Sequence, residues 1–143
     1  MATAVSETNR RVIHPVHAIL LASILPLFLG ALLSDWAYYR SYQVQWSNFA
    51  SWLNAGALVF AGAASLWAVI DFFRADVARG RLDALYLLVV LMTFVLGFIN
   101  ALVHAKDAWA VMPAGLLLST LVFLLALASV GLGFSGKRGS EAR

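Results

Sequence analysis

Four long stretches without a charged side chain constrain this sequence more than any other feature: residues 16–34, 46–70, 84–103 and 108–136. A helix that crosses hydrocarbon needs roughly 20 mainly apolar residues, and each stretch supplies about that number or more. None shows the apolar-polar alternation over about ten residues that marks a barrel strand, and only helices and closed barrels satisfy every backbone group in lipid. The sequence therefore predicts an all-α membrane protein, a bundle of four transmembrane helices spanning about 16–36, 47–71, 83–104 and 110–134. A short leading segment, 1–13, and a tail, 137–143, flank the transmembrane domain, 14–136. Composition agrees, because 62% of the residues are hydrophobic and only 12% are charged, too apolar for one water-bathed core.

Topology follows from the cations. Arg10 and Arg11 precede the first span, Arg74, Arg79 and Arg81 separate the second from the third, and Lys137, Arg138 and Arg143 follow the fourth. Only Arg40 and Lys106 fall on the other side, so eight of the ten Lys and Arg residues argue for cytoplasmic termini. This predicts a multi-pass protein of the bacterial inner membrane. The formal charge of +3 is spread as helix-flanking anchors suited to anionic lipid, without the dense run or aromatic interleaving of a nucleic-acid binder. The first eleven residues resemble a signal-peptide n-region, but the apolar run is too long and lacks a small-residue exit, so an uncleaved first span is expected. Gly131, Gly133, Gly136 and Gly139 suggest a loose tail. Trp36, Tyr38, Tyr39, Tyr42, Trp46, Trp52 and Trp109 gather toward the outer face as an interfacial belt. Pro26 predicts a kink in the first span.

Polar groups inside spans are costly and few. On the second span Asn54, Ala57, Ala61, Ala64, Ala68 and Asp71 recur at steps of three and four, and the third carries Thr93, Gly97, Asn100 and His104 likewise. The fourth carries Gly115, Ser119, Ala126, Ser129 and Gly133. Small residues let helix backbones approach closely, so these stripes read as packing faces, of which one on the second or fourth span is expected to dock another membrane subunit or a second copy.

Antiparallel threading sorts the remaining polar groups into two clusters. Toward the outer face lie Asp35, Asn54, Asn100 and His104, where a carboxylate beside an imidazole suits either helix tethering or proton handling. Toward the inner face lie His14, His17, Asp71, Arg74, Arg79, Arg81 and Asp83. His14 and His17 share one side of a helical turn, and Pro15 suits a first-turn position. Zinc or copper would need further donors from Glu7, Asp71 or Asp83, since there is no cysteine. Trp67 lies nearby, and its indole N–H needs a partner. No cofactor is predicted outright; the competing reading is haem b or quinone held near His14, His17 and Asp71. Because His104 falls at the opposite membrane face, two axial histidines from one subunit are not expected. No nucleophile elbow, phosphate loop, zinc-protease motif, inverted repeat or broken-helix pair is present. A structural or accessory membrane subunit without a catalytic centre is the favoured reading, ahead of an electron-transfer subunit and a small transporter or proton path.

The order of these residues resembles a bacterial family of predicted membrane proteins, domain of unknown function 2231. The likeness rests on His14-Pro15-Val16-His17, Leu25-Pro26 and Leu33-Ser34-Asp35-Trp36. It continues through 68–72, through the segment from Phe98 to Trp109, and through Pro113 with 115–119. The resemblance implies the four-span fold and, through relatives that look as though they accompany membrane oxidoreductases, a redox-associated setting. It implies no established activity. This sequence departs from the pattern early in the third span, where Leu87 and Leu91 replace a polar residue, and at 128–134, which reads A-S-V-G-L-G-F. A second cofactor ligand that polar relatives would carry is thereby missing.

Overall fold

A computed structural model describes residues 13–74 and 80–135. Its long helices are α1 (Pro15–Ser41), α2 (Val44–Phe73), α3 (Arg81–His104) and α5 (Ala114–Ser135), with a single turn, α4 (Ala108–Val111), before the last. The four long helices contain 27, 30, 24 and 22 residues, each apolar enough to cross a membrane. At about 1.5 Å per residue the shortest reaches about 33 Å, matching a hydrocarbon core of about 30 Å.

Local chemistry sets the ends. The His14 side chain accepts the Val16 N–H at 3.3 Å, and Pro15 occupies the first turn, where its missing N–H costs no hydrogen bond. α1 continues through Pro26 to Ser41 and stops where Tyr42 adopts a left-handed φ of 53°. The Tyr42 N–H closes on the Tyr38 carbonyl at 2.7 Å, and α2 starts two residues later. α3 opens with the Asp83 carboxylate accepting the Gly80 N–H at 2.9 Å. The expected fourth span is divided, because Pro113 lacks an N–H and holds Met112 extended, at φ −94° and ψ 143°. The last long helix accordingly begins at Ala114.

The helices neighbour one another in the cyclic order α1, α2, α3, α5, an antiparallel bundle. The α1–α2 and α3–α5 connections lie at what is here the hairpin end; the starts of α1 and α3 lie at the terminal end. In every long helix the buried residues recur at alternating steps of three and four: His17, Leu21, Ile24, Phe28, Ala31, Asp35 and Tyr38 on α1, for example. That 3.5-residue period belongs to left-handed bundles with knobs-into-holes packing. α2 turns inward only small or short polar residues, from Ser47 to Ala68, which leaves room for Leu21, Ile24 and Phe28 of α1.

Outside, the pattern reverses. Trp52, Val59, Leu66 and Phe73 of α2 are 76, 72, 62 and 69% exposed, and Leu88, Val95 and Leu102 of α3 are also exposed. An apolar exterior around an interior of small and polar side chains is the polarity of a protein solvated by lipid. Arg10, Arg11, Arg79, Lys137, Arg138, Arg143, Gly136 and Gly139 lie outside the described residues, whereas Gly131 and Gly133, expected to loosen the tail, are helical within α5, with Gly133 buried against Leu21 and Tyr86.

The packing stripes expected to meet a partner are filled by the chain itself. Ala57, Ala61 and Ala64 are fully buried, Ala68 is 5% exposed and Ser119 2%. A Cβ on Gly97 would come within 3.1 Å of Leu58 and Phe28, and one on Gly115 within 2.6 Å of Val111 and 3.2 Å of His104. These surfaces are internal seams, so any partner must approach the lipid-facing side.

Candidate functional site: a hydrogen-bonded spine on α3

The inward face of α3 contains Tyr86, Val90, Thr93, Gly97, Asn100 and His104, and every one of them reaches another helix. Tyr86 Oη meets His17 Nε2 of α1 at 2.9 Å, and the Val90 carbonyl accepts from Ser65 of α2 at 3.3 Å. Thr93 Oγ1 lies 3.0 Å from Ser129 Oγ of α5. Its own proton goes to the Val89 carbonyl at 2.8 Å, so Ser129 is the donor in this pair. The Gly97 carbonyl accepts from Asn54 Nδ2 of α2 at 3.1 Å. Asn100 Nδ2 donates to Ser119 Oγ of α5 at 2.9 Å, and His104 Nε2 faces Asp35 Oδ1 of α1 at 2.8 Å. α3 is thus tied to α1 at both ends and alternately to α2 and α5 between them.

At the hairpin end these bonds close into a circuit. The Asn100 amide donates to Ser119, whose hydroxyl donates to Asp35 Oδ2. Asp35 Oδ1 pairs with His104 Nε2, and His104 Nδ1 returns to the Asn100 main-chain carbonyl at 2.9 Å. That carbonyl only accepts, so Nδ1 carries a hydrogen. One further proton then lies between Nε2 and Oδ1, on either atom. The His104 side chain is 1% exposed and Asp35 is fully buried. Val111 of α4 is fully buried against this end, and Gly115 gives the His104 imidazole its space. The Oδ1 atoms of Asn54 and Asn100 are buried acceptors without a hydrogen-bond partner.

The terminal end is more open. The His14 and His17 imidazoles lie against the Trp67 indole, with ring centroids 5.1 and 5.6 Å away. The Trp67 N–H donates to Asp71 Oδ2 at 3.1 Å. His17 is buried, but His14 and Asp71 are exposed. Asp83 caps α3, and His104 lies at the other end of the bundle.

The arrangement therefore brings Asp35, Asn100 and His104 together and directs Asn54 one turn away, to a carbonyl. Sequence reasoning missed the roles of five side chains: Ser65, Tyr86, Thr93, Ser119 and Ser129. The sequence presents Thr93, Ser119 and Ser129 only as members of packing stripes and gives Ser65 and Tyr86 no role at all. Spacing alone held a signal for two of them, since Tyr86 and Thr93 fall on one 3.5-residue series with Asn100 and His104.

Fold and site together define a multi-pass integral membrane protein whose interior is cross-linked by polar groups. The family model for predicted membrane proteins of domain of unknown function 2231 matches residues 13–138, and the chain belongs to that family. Comparison with curated proteins and with solved structures found no match to either.

Proposed function

We propose that the chain is a structural or accessory subunit of a bacterial inner-membrane assembly, with both termini cytoplasmic and no catalytic centre of its own. One observation carries this reading: the carboxylate and imidazole best suited to chemistry are consumed in a closed, buried circuit. A group that relays protons or holds a substrate needs access to water or ligand, and this circuit faces neither. Its geometry suits a clasp that fixes three helices and presents a rigid apolar exterior. The cation distribution supports the orientation.

The test has two arms. Extracted from its native membrane in mild detergent, the full chain should run in a complex containing other membrane polypeptides; reconstituted alone in vesicles, it should leave a proton gradient intact. A bare monomer in the first arm, or in the second a proton flux abolished by His104→Ala, would replace this reading, the flux in favour of a proton path.

A further inference from the structure

We propose that the chain binds one anionic phospholipid at the hairpin end, with an acyl chain in a groove between α1 and α5 and the headgroup phosphate at Arg40. The groove has a volume of about 370 Å³ and is lined by Leu32, Leu33, Trp36, Leu116, Leu117 and Thr120, within the about 300–1,000 Å³ of small-ligand clefts. Its one hydroxyl, on Thr120, already donates to the Leu116 carbonyl at 2.8 Å. What remains is hydrocarbon, and Leu33 and Leu117 are 59 and 67% exposed. The groove selects an apolar chain.

The other end of the ligand is specified by charge. Leu33, Trp36 and Arg40 follow at steps of three and four, so the guanidinium stands one turn beyond the indole on the same face of α1. Arg40 is exposed and, among the described residues, has neither an ion-pair nor a hydrogen-bond partner. Trp36 is 55% exposed, an amphipathic ring of the kind that settles at headgroup depth. An apolar slot, an interfacial tryptophan and an unpaired cation in one column match an acyl chain, a glycerol region and a phosphate in the same order. On the inward side of the same two helices lie Asp35 and Ser119, so the bound lipid covers their hydrogen bond from outside.

The experiment uses the full chain, purified in detergent, stripped of lipid and offered equimolar phosphatidylglycerol and phosphatidylcholine with identical acyl chains, with retained lipid read by native mass spectrometry. One phosphatidylglycerol should remain, preferred about fivefold over phosphatidylcholine, the effect of one cation near an anionic headgroup. Arg40→Gln should erase the preference, Lys106→Gln should preserve it, and Leu117→Trp, at a position facing outward, should fill the groove and lower retention of both lipids. Equal retention of the two lipids by the unaltered chain would overturn the proposal. So would a preference that survives Arg40→Gln or falls equally with Lys106→Gln, or retention unaffected by Leu117→Trp.

Discussion

The two ends of the bundle use the same kinds of residue to opposite effect. At the hairpin end Asp35, Asn100, His104 and Ser119 bond to one another from three helices and are hidden from the surface. At the terminal end His14 and His17 lie ring to ring against Trp67, the Trp67 N–H donates to Asp71 four residues on, and Tyr86 bonds His17 across helices. Closure makes the difference. In the circuit, losing the Asp35, Ser119 or His104 side chain strips a partner from two other groups, each left buried in a medium that offers no replacement. At the open end His14 and Asp71 are exposed, so either can recover water when it loses a partner.

Mutations that attack the closed end should therefore cost most. Asp35→Ala leaves His104 Nε2 without its partner and Ser119 without its acceptor, and breaking a buried pair in this way costs about 3–5 kcal/mol; reversible unfolding of the full chain in mixed detergent micelles measures it. Gly115→Ala drives a methyl group against Val111 and the His104 ring, and overpacking of this kind costs about 1–3 kcal/mol. The same unfolding curve should shift by that amount without a change of helicity in circular dichroism. Ser119→Ala removes one donated and one accepted bond and should cost about 1–2 kcal/mol. Tyr86→Phe, at the open end, gives up a single bond to His17 and should cost about 0.6 kcal/mol, near the average for an interhelical bond in a membrane. Equal losses for Ser119→Ala and Tyr86→Phe would erase the contrast between the ends.

How much of this was legible depended on what each residue has to do in lipid. The four spans and their antiparallel order follow from hydrocarbon thickness and loop length. Asp35, Asn100 and His104 drew attention because polar side chains in a span are expensive, and threading alone put them at one level. Asn54 lies in the same half of the bundle but donates to the Gly97 carbonyl rather than to the other three, and a main-chain acceptor leaves no mark in a sequence. Ser119 reads as a packing residue because serine is both small and polar, and its spacing with Gly115 fits either use. The stripes on α2 and α5 read as packing faces, and the expectation that one of them docks a partner arises because small faces look alike whether they meet another chain or the same one. Only the bulk of Leu21, Ile24 and Phe28 on α1 reveals that the α2 stripe is already filled.

Asp35 and His104 act as one clasp within the α3 spine. A double-mutant cycle on Asp35→Ala and His104→Ala, read by equilibrium unfolding of the full chain in micelles, tests this most directly. The two losses should fail to add by about 1–3 kcal/mol, because either change alone already opens the circuit. Losses that sum to within about 0.5 kcal/mol would contradict it.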